Sequence, residues 1–268
     1  MAPPAARDAV SAAAGGALPP EDTGPAANRA GPDDQPGPAR EEPGQVRGVV
    51  LDWGGVLTNP ILDTVESWLK LERISRESYL TIMRLWLSQA YQAGRAEDRA
   101  DQGNPVHRLE RGEWPDEEFE RELAGHLVRE DGRPVPAEGL LGRMFAGSFL
   151  DDSMQDLLRT LRSAGLKTAL LSNSWGRNGY PRPLLDELFD AVVISCEVGM
   201  RKPEQRIFAY TTRLLGLQPR ECVFVDDVEA NVTAARTMGF LAVHHRRYQQ
   251  TAQRLTELIG IPLGLGLS

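Results

Sequence analysis

Asp52, Ser172, Lys202 and the pair Asp226-Asp227 are the residues whose types and settings suit them to chemistry. Asp52 closes the apolar run Val49-Val50-Leu51, Ser172-Asn173 closes Ala169-Leu170-Leu171, and Asp226-Asp227 closes Cys222-Val223-Phe224-Val225. A carboxylate cluster of this kind repels itself unless a cation lies within it. Oxygen donors from carboxylates suit Mg²⁺, whereas no set of His and Cys at matching spacing supports zinc. An ionised Asp beside Mg²⁺ can attack phosphorus and form an acyl phosphate that water later cleaves. Charge developing on the phosphoryl oxygens then needs donors, and Ser172, the Asn173 backbone N–H and Lys202 can supply them.

These residues meet only if the elements that carry them converge. Continuous apolar runs that end abruptly in polar residues are what strands covered on both faces require, and Ala191–Ile194 and Leu241–Val243 add two more. Between the runs lie helical patterns. Met154, Leu157, Leu158 and Leu161 precede Gly165; Ile207, Thr211, Leu214 and Leu215 precede Gly216; Val228, Val232 and Ala235 precede Gly239. The glycines suit helix ends and Pro203 a helix start. Strands alternating with helices predict an α/β fold, a doubly wound parallel sheet of Rossmann-like type, with ligands at the carboxyl ends of its strands.

Residues 59–149 break this alternation and predict a helical cap domain. One helix is expected around Leu62, Val65, Trp68, Leu69 and Glu72, and a second around Tyr79, Ile82, Met83, Trp86 and Leu87. A third is expected around Phe119, Leu123 and Leu127 after Pro115. The catalytic core is then residues 46–58 and 150–268. Residues 1–45 are rich in Pro, Ala and Gly with almost no large apolar side chains, and are expected to form a disordered tail.

Composition narrows the partners. With 38 acidic against 30 basic side chains, the chain offers no broad positive field for nucleic acid or an anionic membrane, and Arg246-Arg247 is too short a basic patch. No apolar run is long enough to span a membrane and no secretory pattern opens the chain, so a cytoplasmic location and a small phosphorylated substrate are expected. Cys196 and Cys222 are read as buried strand thiols without ligand spacing, and His107, His126, His244 and His245 as surface or edge residues. Trp68, Tyr79, Trp86 and Trp114 are read as cap packing.

From Val46 to Ile261 the ordered motifs resemble the haloacid dehalogenase superfamily. Asp52-Trp53-Gly54-Gly55-Val56-Leu57-Thr58 is similar to its first motif, Leu171-Ser172-Asn173 to its second and Arg201-Lys202-Pro203 to its third. Phe224-Val225-Asp226-Asp227, followed by Asn231, Ala234-Ala235 and Gly239-Phe240, is similar to its fourth. The position of the cap matches the helical-cap (C1) branch, and within it the chain most resembles the phosphatase domain of soluble epoxide hydrolase and related bacterial phosphatases. The resemblance implies a magnesium-dependent phosphatase with Asp52 as nucleophile and metal ligand. It implies further metal ligands in the Gly54 carbonyl and Asp227, with Asp226 acting through water or orienting the site. Substrate contacts are implied for Ser172, Asn173, Lys202 and Gly55.

One departure matters. Phosphatases of this superfamily usually carry a second Asp two residues after the nucleophile, which protonates the leaving oxygen, and Gly54 stands there. A positioned acid is worth about 10²–10⁴-fold in rate. A slow or selective phosphatase is the reading adopted, in which leaving-group acidity governs turnover and Gly54→Asp restores activity on alkyl esters. Two other readings are a non-catalytic domain that binds a phosphorylated ligand, and carbon–phosphorus cleavage through a Schiff base on Lys70, the cap's one lysine. Dehalogenation ranks below these because the acidic pair Asp226-Asp227 is retained.

Overall fold

The computed structural model describes residues 45–93, 103–177 and 179–262, with the side chains of 87–93 undescribed. The expected tail therefore lies outside the described residues but for Gln45. Five strands, β1 (Gly48–Leu51), β2 (Lys167–Ser172), β3 (Ala191–Ile194), β4 (Cys222–Asp226) and β5 (Leu241–His244), form one parallel sheet in the order β3-β2-β1-β4-β5. Leu51 pairs with Leu170 on one side and Val225 on the other, so Asp52 emerges level with Leu171 and Asp226. The chain fills one side of β1, then returns to its other side at β4. That reversal opens the crevice in which such sheets bind ligands.

Alternate residues of each strand serve opposite faces, which is why the runs are apolar throughout. Val49, Leu51, Leu170, Val223 and Val225 share one cluster, and Val50, Ala169, Leu171 and Phe224 another.

Among the described residues, five cap helices follow β1 and precede the core helix that starts at Asp152: α1 (Ile61–Glu72), α2 (Arg76–Ala93), α3 (Pro105–Glu110), α4 (Asp116–His126) and α5 (Leu140–Met144). They bury a cluster of their own that includes Trp68, Tyr79, Trp86, Phe119, Leu123 and Met144. The chain enters and leaves this cap side by side. Thr58 and Leu150 form an isolated antiparallel bridge, and the Asn59 N–H donates to the Phe149 carbonyl at 3.0 Å while the Asn59 side-chain oxygen accepts the Phe149 N–H at 2.9 Å. The remaining helices belong to the core: α6 (Asp152–Ser163), α7 (Arg182–Leu188), α8 (Ser195–Val198), α9 (Gln205–Leu215), α10 (Glu229–Thr237) and α11 (Tyr248–Ile259). Met154, Leu157, Leu158 and Leu161 of α6 and Ala252 and Leu255 of α11 cover one face of the sheet. Ile207, Phe208 and Leu215 of α9 and Ala235 of α10 cover the other.

Several expectations are corrected. Cys196 is half-buried in α8, because β3 stops at Ile194 and a helical turn follows at once; Cys222 does begin a buried strand. Pro203 does not open α9, whose cap is Glu204. Val228 caps α10 from outside and Leu62 lies apart from the cap's own apolar cluster, so both are exposed, lining a cavity beneath the cap. His107 and His245 are buried, the latter with Nδ1 2.9 Å from Thr251 Oγ1. Helices α3, α5, α7, α8 and α11 carry too few periodic apolar residues to have been read, or lie where the alternation was not traced.

Phe119 ties the two halves together. Fully buried, it meets the rings of Trp86 at 5.7 Å and Trp114 at 6.1 Å within the cap, and Trp175 at 5.8 Å from the loop after β2. Phe119→Ala is expected to cost about 3–5 kcal/mol, read as a lowered urea midpoint by tryptophan fluorescence.

Candidate active site

The register of the sheet brings Asp52, Ser172 and Asp226 to one edge, and the side chains organise around Lys202. This amine is fully buried, with Nζ 2.8 Å from Asp52 Oδ1 and 2.7 Å from Asp226 Oδ2. Burial alone would drive its proton off, but the Asp226 and Asp52 carboxylates outweigh that cost and hold its pKa above the ordinary value. The loop carrying it is clamped by the Asn173 amide, which donates to the Lys202 carbonyl at 3.0 Å and accepts the Lys202 N–H at 2.8 Å. The side chain of Asn173 is thus engaged with the loop, and its backbone N–H remains for a ligand.

The three carboxylates are not equivalent. Asp226 is fully enclosed: besides Lys202 it accepts the Val228 N–H at 2.8 Å, and Asn231 Nδ2 reaches both its oxygens at 3.1 and 3.2 Å. Asp227 instead lines a cavity of about 2560 Å³ beneath the cap, together with Asp52, Gly54, Ser172, Asn173 and Lys202. Asp52 Oδ1 accepts the Trp53 N–H at 2.7 Å as well as Lys202, and Oδ2 has no hydrogen-bond partner among the described residues. Ser172 Oγ lies 2.9 Å from the hydroxyl of Tyr180, whose ring packs on Trp53 at 5.6 Å. Burial raises the Tyr180 pKa, so this phenol stays protonated.

One oxygen from each of Asp52, Asp226 and Asp227 lies within 4.8 Å of the others. Burial pushes Asp52 up to about 8 against the opposing pull of Lys202, with Asp226 and Asp227 adding to the rise; burial and Asp226 push Asp227 up to about 6. Carboxylates so reluctant to ionise together, offering only oxygen, fit a hard divalent cation. Lys202 and Asn231 occupy Asp226, so Asp52 and Asp227 are the direct donors the geometry leaves open.

The motif glycines serve different ends. Gly55 has φ +72°, and a Cβ there would fall 2.3 Å from Asp227 Oδ2, so any side chain would displace that carboxylate. Its N–H meets Thr58 Oγ1 at 3.2 Å and it does not line the cavity, unlike Gly54. A Cβ at Gly54 would instead fall 2.9 Å from Cδ1 of Ile61 in the cap. Tyr180, Trp175 and Ile61 are site residues that sequence reading missed; they sit in a loop without periodicity or at a helix start, where residue type alone signals nothing.

A parallel sheet that brings a carboxylate cluster and a buried lysine to one edge under a helical cap has the architecture of a capped, Rossmann-like enzyme. The chain belongs to the haloacid dehalogenase-like hydrolases, whose family model matches residues 46–239. It is 28% identical to acyl-CoA dehydrogenase family member 10 of Mus musculus over 82% of this chain, and 27% identical to bifunctional epoxide hydrolase 2 of Sus scrofa over 81%. It spans only 20% and 40% of those longer proteins. A sesquiterpene phosphatase of Aspergillus oryzae is 24% identical over 80% of this chain and 97% of its own length. Among solved structures, a haloacid dehalogenase family enzyme of Bacteroides thetaiotaomicron, complexed with magnesium and inorganic phosphate, superposes with TM-score 0.54 at 22% identity. It covers 75% of this chain and 94% of its own.

Removing Lys202 leaves two buried carboxylates facing each other. Lys202→Met is expected to destabilise the protein by about 3–5 kcal/mol in chelator, measured by denaturant unfolding, with added Mg²⁺ recovering part of the loss.

Proposed function

We propose that the protein is a magnesium-dependent phosphatase that hydrolyses a small phosphorylated metabolite through an aspartyl phosphate on Asp52. The observation that carries this reading is Oδ2 of Asp52, without a hydrogen-bond partner among the described residues and held beside Lys202 and Asp227 in the lining of the cavity. Asp52 attacks phosphorus, the bond to the leaving oxygen breaks, and water then attacks the phosphoryl group to release phosphate and regenerate the carboxylate. Lys202, the Ser172 hydroxyl and the Asn173 N–H hold the equatorial oxygens, and the Tyr180 hydroxyl can donate to Ser172 so that the serine proton is free for the phosphate. Mg²⁺, held by Asp52, Asp227 and the Gly54 carbonyl, would neutralise charge on the phosphoryl group. The named phosphatase relatives and the magnesium and phosphate in the Bacteroides enzyme support the same assignment.

Carbon–phosphorus cleavage through Lys70 is disfavoured, because Lys70 is exposed on α1 and does not line the cavity. No helix among the described residues is long and apolar enough to cross a membrane.

Asp52→Asn is expected to keep the fold and abolish phosphate release from a panel of phosphorylated metabolites; continued turnover would refute the nucleophile. Chelator should abolish activity and Mg²⁺ restore it, while raising the thermal midpoint by a margin equivalent to about 2.7 kcal/mol at a hundredfold excess over Kd. Asp227→Ala should weaken Mg²⁺ binding more than Asp226→Ala, whereas Asp226→Ala should cost more stability. Because no acid stands at position 54, the rate should rise with leaving-group acidity across substituted phenyl phosphates, and a flat dependence with chemistry rate-limiting would show that another group supplies the proton.

A further inference from the structure

We infer that Ile61 is a specificity-determining residue whose side chain fills the space an acid at position 54 would need, making the leaving-group side of the site a surface for aryl phosphate monoesters. The inference rests on the phosphatase reading above and names its substrate class.

Ile61 is the first residue of α1, set by Pro60 beside the paired connections that join cap to core. A Cβ at Gly54 would lie 2.9 Å from its Cδ1 and 3.2 Å from its Cγ1. Non-bonded carbons settle at about 3.5–4.0 Å, so Ile61 already packs against the bare backbone of the nucleophile loop. Along the same cavity, Leu62 is 72% exposed, Phe149 66% and Val228 42%. Apolar side chains left this open around one cavity mark a surface meant to be covered.

In an in-line displacement the leaving oxygen departs opposite the attacking carboxylate. Asp52 attacks from the sheet, so the leaving group points at the cap. An alkoxide released there meets hydrocarbon where it needs a proton. Four of the cap carboxylates that line the cavity, Glu110, Glu113, Asp116 and Glu120, are committed, to Arg201, to Arg111, to the Arg177 N–H and to the N–H groups of Gly139 and Leu141 respectively, while Glu117 and Glu138 line it as well. A phenoxide, with a conjugate acid near pKa 10 or about that of tyrosine, leaves without help. Its ring would bury against Ile61, in a cavity that Trp53 and Tyr180 also line.

The test compares the Mg²⁺-loaded full chain with its variants in two arms. By calorimetry, the wild type should bind phenylphosphonate more tightly than methylphosphonate. Ile61→Asn should cut that margin about tenfold and leave methylphosphonate affinity unchanged, while Ile61→Leu keeps the margin. An unchanged margin in Ile61→Asn, or equal loss for both ligands, overturns the assignment. In kinetics with glycerol phosphate, Gly54→Asp alone should gain little, contrary to the expectation from sequence, because Ile61 stands against position 54, and Gly54→Asp combined with Ile61→Ala should gain about tenfold or more. Equal gain from the single substitution overturns the claim that Ile61 holds this space. If the wild type turns over neither phenyl phosphate nor glycerol phosphate while the phenylphosphonate margin responds to Ile61, the phosphatase reading fails and the aryl-binding surface stands.

Discussion

A single buried ammonium holds the site together. Lys202 sits between Asp52 and Asp226 with no access to solvent, and each carboxylate would be expensive to bury without it. Burial raises the pKa values of Asp52 and Asp227, and because one amine cannot neutralise three carboxylates, their mutual repulsion adds to that rise. The site is therefore built two positive charges short, a condition that a divalent cation satisfies and that an apolar core would never tolerate.

The cap is coupled to the same lysine. Glu110 of α3 pairs with Arg201, the neighbour of Lys202, and Arg111 reaches Glu204 two residues beyond it at 3.4 Å. Gly112 brings the cap backbone so close to α8 that a Cβ there would lie 2.4 Å from the Cys196 carbonyl. Trp175, two residues past Asn173, is half-buried against cap aromatics. The loops that present Asn173 and Lys202 are thus each gripped from above. Movement of the cap would be felt at the donors as well as at the pocket wall.

Much of this was legible in sequence because burial on both faces forces a strand to be apolar until it ends. Val49–Leu51, Ala169–Leu171 and Cys222–Val225 announce their ends by switching to Asp52, Ser172 and Asp226, and the parallel register does the rest. The cap helices with a clear apolar stripe, α1, α2 and α4, were likewise readable. What lacked a periodic or boundary signal stayed hidden. Tyr180 reaches Ser172 from a loop, Ile61 reaches Gly54 across the cap junction, and the burial of His107 and His245 depends on tertiary neighbours that spacing does not encode. Pro203 misled because a proline before a helix and a proline at its first turn differ by two residues.

The acidic pair shows how adjacency produces two roles from one residue type. Successive residues of a strand point to opposite sides, so Asp226 and Asp227 cannot share an environment. Asp226, the last residue of β4, turns inward to Lys202 and Asn231, and its carbonyl accepts the His245 N–H at 2.8 Å. Asp227 turns to the cavity, its carbonyl 2.9 Å from His244 Nε2, while Nδ1 of that ring meets Glu229 at 2.6 Å. The end of β5 therefore fixes the backbone of both acids, and Gly55 keeps clear the volume Asp227 needs. Exchanging the two environments would require a one-residue slip of β4, which would also turn Val223 and Val225 away from the face they bury. The hydrophobic pattern of the strand and the placement of the carboxylates are thus one constraint, and the core that holds the sheet in register is what keeps Asp226 closed and Asp227 open.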